Sequence, residues 1–115
     1  MSVTTITPTQ MVAGTAIVVT PGIGTAINTA NTMHIPYPQQ GKLLIYIDSD
    51  HTDTSASMAA GDGVSAGLGA QAVAVGNTVA SMFVVDSDRV VNSSGNVVIT
   101  WAANSAGFLA AWYLP

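Results

Sequence analysis

The chain has 115 residues, of which 49% are hydrophobic and 7% are charged, whereas a typical soluble domain has roughly 25% charged residues. Its two basic residues, Lys42 and Arg89, cannot form the cationic surface that holds a phosphate backbone, which argues against a nucleic-acid partner. The length suits a single domain, and the high apolar content argues against a disordered chain.

Cysteine is absent, so the chain has no disulfide bond, thiolate metal site or cysteine nucleophile. Polar residues interrupt every apolar stretch before it reaches the about 20 residues of a transmembrane helix. The first eight residues have neither the basic start nor the apolar region of a signal peptide. We therefore expect a protein made in the cytoplasm that has no membrane partner.

Short runs rich in Val, Ile and Thr, separated by Gly, Pro, Asn and Asp, predict β-strands. Residues 1–10 are Thr-rich and uncharged and are predicted to form an N-terminal arm, followed by one domain over 11–115. The first predicted strand covers 10–13 and 16–20 and is interrupted at Gly14. In chain order, the further predicted strands are 25–27, 32–35, 42–48, 55–60, 70–75, 77–85, 89–91, 96–101 and 108–114.

The clearest of these strands is 42–48, whose continuous apolar run predicts burial on both faces. Residues 92–95, Asn-Ser-Ser-Gly, predict the turn of a hairpin between 89–91 and 96–101. No stretch combines helical periodicity with caps. The pattern therefore predicts an all-β fold, a small β-sandwich or β-barrel with short antiparallel strands.

Two groups of polar residues are candidate cation sites. The loop 48–53, Asp-Ser-Asp-His-Thr-Asp, has oxygen ligands at its first, third and sixth positions that could bind Ca²⁺, but it lacks the Gly at position 6 and the Glu at position 12 of an EF-hand. Aspartates are also common in turns because the side chain bonds the nearby backbone, and we favour this interpretation. His34 and His51 have no zinc-ligand spacing. We expect neither a metal nor a cofactor.

The remaining motifs do not indicate catalysis. The glycine-rich stretch 61–69 differs from the dinucleotide fingerprint in the position of its third Gly, and no helix is predicted after it. No nucleophile elbow is present, and the chain contains no Glu. Asp86 and Asp88 precede Arg89 and are interpreted as a local ion pair or turn cap. We therefore expect a protein that is not an enzyme.

Aromatic residues concentrate in the last two predicted strands. Trp101 and Phe108 are expected to pack between sheets, whereas Trp112 and Tyr113 are candidates either for the core or for an interface, where Trp and Tyr are enriched. The low charge of the exterior also suggests that part of the surface faces other subunits.

The segments 3–9, 42–47, 61–69, 83–99 and 108–115 together resemble a known family. Within 83–99, the pattern S-x-R-h-x-N-x-x-G-x-h-x-h (h, apolar) spans Ser87 to Ile99, and the chain ends in Leu-Pro. This combination is similar to the small proteins that tailed bacteriophages encode near the major capsid protein and that act as capsid decoration, or cement, proteins.

The resemblance implies a β-sandwich that binds the outer surface of the capsid and has no catalytic residues. It implies the major capsid protein as a partner, self-association as a homotrimer, and a location on the exterior of the virion. Few sheet edges can be guarded by charge here, so the arm is expected to add as a strand to a neighbouring sheet. The residues expected at partner or oligomer interfaces are Val3, Ile6, His34, Tyr37, Trp112 and Tyr113.

Two alternatives remain open from the sequence. One is another virion module, such as a β domain associated with the tail or a fibre. The other is a small carbohydrate- or ligand-binding β-sandwich, in which exposed Tyr37, Tyr46 and Trp112 would lie beside Asp- and Asn-rich loops.

Overall fold

A computed structural model describes residues 2–19, 22–38, 41–50, 54–63, 66–75, 78–85 and 87–115. Within these ranges, ten strands form two sheets that pack face to face, which confirms the all-β prediction and specifies a sandwich. The strands are β1 (Ser2–Thr5), β2 (Thr9–Gln10), β3 (Thr25–Ala26), β4 (Asn31–Pro36), β5 (Lys42–Ser49), β6 (Ser55–Met58), β7 (Gln71–Ala74), β8 (Ala80–Val84), β9 (Asn96–Trp101) and β10 (Gly107–Leu114).

Sheet A has the strand order β1-β4-β9-β6-β7. Its edge strand β1 runs parallel to β4, and the other neighbours are antiparallel. Sheet B has the order β2-β10-β5-β8, with β3 also paired to β10. The pair β5–β10 forms its centre, with an eight-residue antiparallel register from Gly107 opposite Ser49 to Leu114 opposite Lys42.

The main core lies between the two sheets and is built by alternate residues of the central strands. Sheet A contributes fully buried Met33, Ile35, Val97 and Ile99. Sheet B contributes Leu43, Ile45, Ile47 and Leu109 in the same way. Period-two alternation places these residues on one face of each strand, so burying that face fixes the register.

Trp101 is the largest side chain of this core, and its indole N–H is not left unpaired. The Nε1 atom donates to the Sδ atom of Met33 over 3.1 Å, within the buried interior. Burying a donor without an acceptor is costly, so this contact matters although sulfur is a weak acceptor. The prediction that Trp101 packs between the sheets is confirmed.

Phe108 does not follow the prediction made for it. Its neighbours Leu109 and Ala111 belong to the core between the sheets, so Phe108 lies on the opposite face of β10, half-buried near Gly22. The register of a strand decides which of two adjacent apolar residues faces inward, and composition does not reveal that choice.

Two predicted strands are also wrong. Residues 11–19 are irregular, although a strand was expected over most of them. Residues 87–90 form one helical turn, α1 (Ser87–Val90), in place of the start of a hairpin, and only Val91 forms an isolated bridge, to Val97. The turn at 92–95 is present, with the Gly95 N–H donating to the Asn92 carbonyl at 2.9 Å.

The helical turn is held by Arg89. Its guanidinium donates to the main-chain carbonyls of Leu68, Gly69 and Ala70 at 2.9–3.4 Å. This fork ties α1 to the end of the glycine-rich stretch, where Ala66–Leu68 forms a 3₁₀ turn. The ion pair expected between Arg89 and Asp86 or Asp88 involves side chains outside the described part of the chain.

The N-terminal segment pairs with strands of its own chain. Residues 2–5 lie beside β4, Ile6 is buried in the main core, and Thr9–Gln10 lies beside β10. The segment therefore passes from sheet A to sheet B along one side of the sandwich. Pairing of this arm with a partner chain stays a prediction.

Candidate interaction surface

Sheet B is apolar on its outer face as well as on its core face. On β5, Leu44 and Tyr46 alternate with the core residues, and on β10, Ala110 and Trp112 do the same. This arrangement confirms the two-sided burial expected for the run 42–48, of which Leu43–Ile47 is buried or half-buried throughout. A sheet of this kind needs a cover on its second face.

Part of that cover comes from the irregular residues after β2. Met11, Ile17 and Ile23 pack on a second small cluster formed by Tyr46, Ala110 and Trp112. The Tyr46 and Trp112 rings meet edge to face, with centroids 6.0 Å apart. The covering segment is therefore held against the sheet by apolar side-chain contacts, although it has no regular secondary structure.

The cover stops before β8. Beside Trp112, an open cavity of about 170 Å³ separates the covering segment from the sheet, and its lining includes Ile17, Val19, Leu44 and Met82. Met82 is 57% exposed and Val84 is 50% exposed, on the same face of β8. We call Val19, Leu44, Met82 and Val84 the apolar face.

The apolar face was not identified by sequence reasoning. The signal for it was available in the alternation of Ala80-Ser-Met-Phe-Val84, since Phe83 packs against the main core and Met82 and Val84 therefore face outward. Without the strand order, however, nothing showed that the covering segment would end before reaching these two residues.

The expected interface residues divide into exposed and covered positions. Val3 is 54% exposed on the edge strand β1, and His34 is half-buried on the outer face of sheet A. Ile6 is buried in the main core, and Trp112 is only 5% exposed beneath its own chain. Val3 and His34 are therefore accessible in the single chain, whereas Ile6 and Trp112 are not.

Tyr37 and Tyr113 are half-buried and pack against the main core. The Tyr113 hydroxyl donates to the Pro36 carbonyl at 2.9 Å, which links the end of β10 to the end of β4. Burial raises the pKa of Tyr113 above its ordinary value, since desolvation disfavours the phenolate. The six expected interface residues thus occupy several regions of the described structure, and Trp112 alone among them lines the cavity at the apolar face.

The aspartate-rich loop is described only as far as Asp50. One carboxylate oxygen of Asp48 accepts the Gly22 N–H at 2.9 Å, so this side chain organises the neighbouring turn. Asp50 is exposed, and His51 and Asp53 lie outside the described residues. Among the side chains that the structure describes, no three His, Cys, Asp or Glu residues gather as a metal site would require.

The glycine-rich stretch contacts the 89–93 segment closely. The Gly61 N–H donates to the Arg89 carbonyl at 2.8 Å, and an Asp62 carboxylate oxygen accepts the Ser93 N–H at 2.6 Å. A Cβ at Gly61 would collide with the backbone of Val91, so the absence of a side chain permits this approach.

Comparisons with protein-family models, curated proteins and solved structures give no match. None of the helical segments in the described ranges has the length and hydropathy needed to span a membrane.

Proposed function

We propose that this chain is a non-enzymatic structural protein of a tailed-bacteriophage virion, and that it binds the outer surface of the capsid and stabilises it. In this role it assembles as a homo-oligomer, which the sequence resemblance implies to be a trimer. Support comes from the family-like segments at 42–47, 83–99 and 108–115 and from the β-sandwich fold that such proteins are expected to have.

The observation that carries the proposal is the apolar face on the partly uncovered outer side of sheet B. Contiguous exposed apolar residues mark association sites on soluble proteins. Three residues of the apolar face, Val19, Leu44 and Met82, line an open cavity, which suits the insertion of an apolar side chain from a partner. The capsid protein is the proposed partner at this face.

A β-sandwich with this face would stabilise a shell by mass action. A ligand that binds only one state of a protein stabilises that state, increasingly as the ligand concentration exceeds Kd. Each copy of this chain that binds only the assembled shell therefore favours the shell over its dissociated subunits. Neither effect needs a reactive group.

The test is binding to empty shells assembled from the major capsid protein that the same genome encodes. We expect the purified chain to co-sediment with these shells and to raise their thermal midpoint. Val19→Asp, within the apolar face, should weaken co-sedimentation at least about tenfold, because an unpaired carboxylate would be buried there. Leu68→Asp is the matched control, at an exposed apolar residue between two strands of sheet A.

Failure of the wild-type chain to bind shells would contradict the proposal, as would equal losses in the two variants.

Immunogold labelling of virions separates the remaining possibilities. Label on the tail or fibres supports the other virion module, whereas label on the shell supports decoration. A sugar-binding platform is less favoured because Tyr46 and Trp112 are both buried.

A further inference from the structure

The free edge of β8 has no partner among the described strands. The order of sheet B ends at β8, which pairs only with β5, from Ala80 opposite Asp48 to Val84 opposite Leu44. An edge of this kind presents a row of backbone donors and acceptors to any further strand.

The register shows which residues supply that row. The Val85 N–H donates to the Leu43 carbonyl, and the Ser49 N–H donates to the Val79 carbonyl. Odd-numbered residues therefore direct their backbone groups toward β5, because the direction alternates along a strand. The N–H and C=O groups of Ala80, Met82 and Val84 consequently point outward from the free edge.

β8 also lacks the features that protect natural sheet edges. The strand Ala80-Ser-Met-Phe-Val84 has no charged residue and no proline. Lysine, proline and inward-pointing charges are the usual means of preventing edge-to-edge pairing. The edge strands β1, β2 and β7 are uncharged too. Among the side chains that the structure describes on these edges, only those of β8 include two large exposed apolar residues.

We propose that β8 pairs antiparallel with β8 of a second copy of this chain, about a two-fold axis at Met82. In this register Met82 is opposite Met82 of the second copy, and Ala80 is opposite Val84. All three outward-pointing residues then form hydrogen-bonded pairs that exchange two bonds each, so the strand satisfies its free edge with six backbone hydrogen bonds. The two B sheets become one continuous sheet.

The second copy fits because the arrangement is self-complementary. A two-fold interface requires each residue to meet a suitable residue on an identical surface. The outer face then reads Tyr46, Met82, Met82 of the second copy and Tyr46 of the second copy across the four strands. This row contains only aromatic and thioether side chains, which make favourable contacts with one another.

The charges of the outer face are compatible with this pairing. Asp48 lies beside Ala80, so the two Asp48 residues are at opposite ends of the joined sheet, about 20 Å apart at standard strand dimensions. This separation exceeds the Debye length of about 8 Å at physiological ionic strength. The antiparallel arrangement also places the Lys42 end of one β5 and the Asp48 end of the other β5 at the same end of the joined sheet.

The test measures assembled mass by sedimentation velocity and light scattering over micromolar to millimolar concentrations of the full chain. Met82→Lys places like charges directly opposite across the axis, and we expect it to raise the Kd of the contact at least about fivefold. At a given concentration, the average assembled mass should fall toward half of its paired value as this contact is lost. Leu68→Lys is the matched control, at an exposed apolar residue outside sheet B and outside the expected interface residues.

The decisive arm mixes M82K with Met82→Glu. Each variant alone loses the contact, and an equimolar mixture restores the mass of the wild-type chain, because position 82 meets itself only across this two-fold axis. Restoration also shows that both variants fold. An unchanged mass for M82K, or a mixture that stays at half mass, overturns the proposal, as does pairing of this edge only with another protein. Capsid binding is not needed for any of these outcomes.

Discussion

At the residue scale, two hydrogen bonds connect parts of the chain that are far apart in sequence. The Trp101 indole donates to Met33 inside the core, and the Tyr113 hydroxyl donates to the Pro36 carbonyl at one end of the sandwich. Both contacts give a polar atom of an aromatic residue a partner, so the ring can be buried without leaving an unpaired donor.

Met33→Leu should destabilise the fold by more than its change in shape accounts for. Leu and Met have similar volumes, so packing alone costs below about 1.5 kcal/mol, whereas an unpaired buried indole donor costs a further ~1–3 kcal/mol. Chemical denaturation of M33L, Trp101→Phe and the double variant measures the coupling. Strictly additive losses in this cycle would show that the N–H···S contact contributes nothing.

Tyr113→Phe tests the hydroxyl bond through its pH dependence. At neutral pH we expect a loss of about 1 kcal/mol, because the Pro36 carbonyl loses its donor. The raised pKa of Tyr113 means that above pH 10 the unfolded chain releases this proton before the folded chain does. The difference in unfolding free energy between wild type and Y113F is therefore complete below pH 10. It declines as the pH rises through the pKa of Tyr113 in the folded chain.

Urea denaturation of both proteins from pH 7 to pH 11 measures this difference. Other titrating groups are common to the two proteins and cancel in the comparison. A gap between wild type and Y113F that is constant over the whole range would contradict the assignment of the pKa shift to this hydroxyl.

At the element scale, the central pair β5–β10 determines the organisation of the sandwich. Its inner residues build the main core, and its outer residues require the irregular segment after β2 as a cover. In sheet B, β8 pairs with β5 and β2 pairs with β10. The open edge of β8 and the covered outer face of the sheet are therefore both adjacent to this central pair. Interaction with a partner is proposed where this cover ends.

Trp112→Ala should cost about 3–5 kcal/mol, because Trp112 is buried against Tyr46 and beneath residues 11–19. The loss should be accompanied by faster amide exchange in residues 11–19, whose contact with the sheet the indole mediates. Thermal denaturation and hydrogen exchange provide the two measurements. Unchanged stability with altered association would instead identify Trp112 as an interface residue.

At the scale of the whole molecule, the N-terminal segment joins the two sheets. Its partners are far away in sequence: β1 runs beside β4, and β2 runs beside β10, at the other end of the chain. Parallel pairings of this kind require loop closure before they contribute contacts, so we expect this segment to dock late in folding.

Deletion of residues 1–10 should destabilise the sandwich. The deletion removes the buried side chain of Ile6, which by itself contributes about 2–5 kcal/mol by comparison with truncations to Ala, and it exposes the edges of β4 and β10. Differential scanning calorimetry of the 11–115 chain should give a lower Tm. An unchanged Tm would support a separable arm.

The sequence by itself determined where most strands lie and that the fold is all-β. Alternation and turn residues are local properties, so they located β4, β5, β6, β9 and β10 to within a few residues and indicated two-sided burial of β5. The tertiary structure decided the helical turn at 87–90, because the carbonyls that hold Arg89 are about twenty residues earlier in the chain. It also decided that Trp112 is covered while Met82 is not. A period of two identifies the two faces of a strand, but only the strand order and the path of the covering segment determine which face remains open.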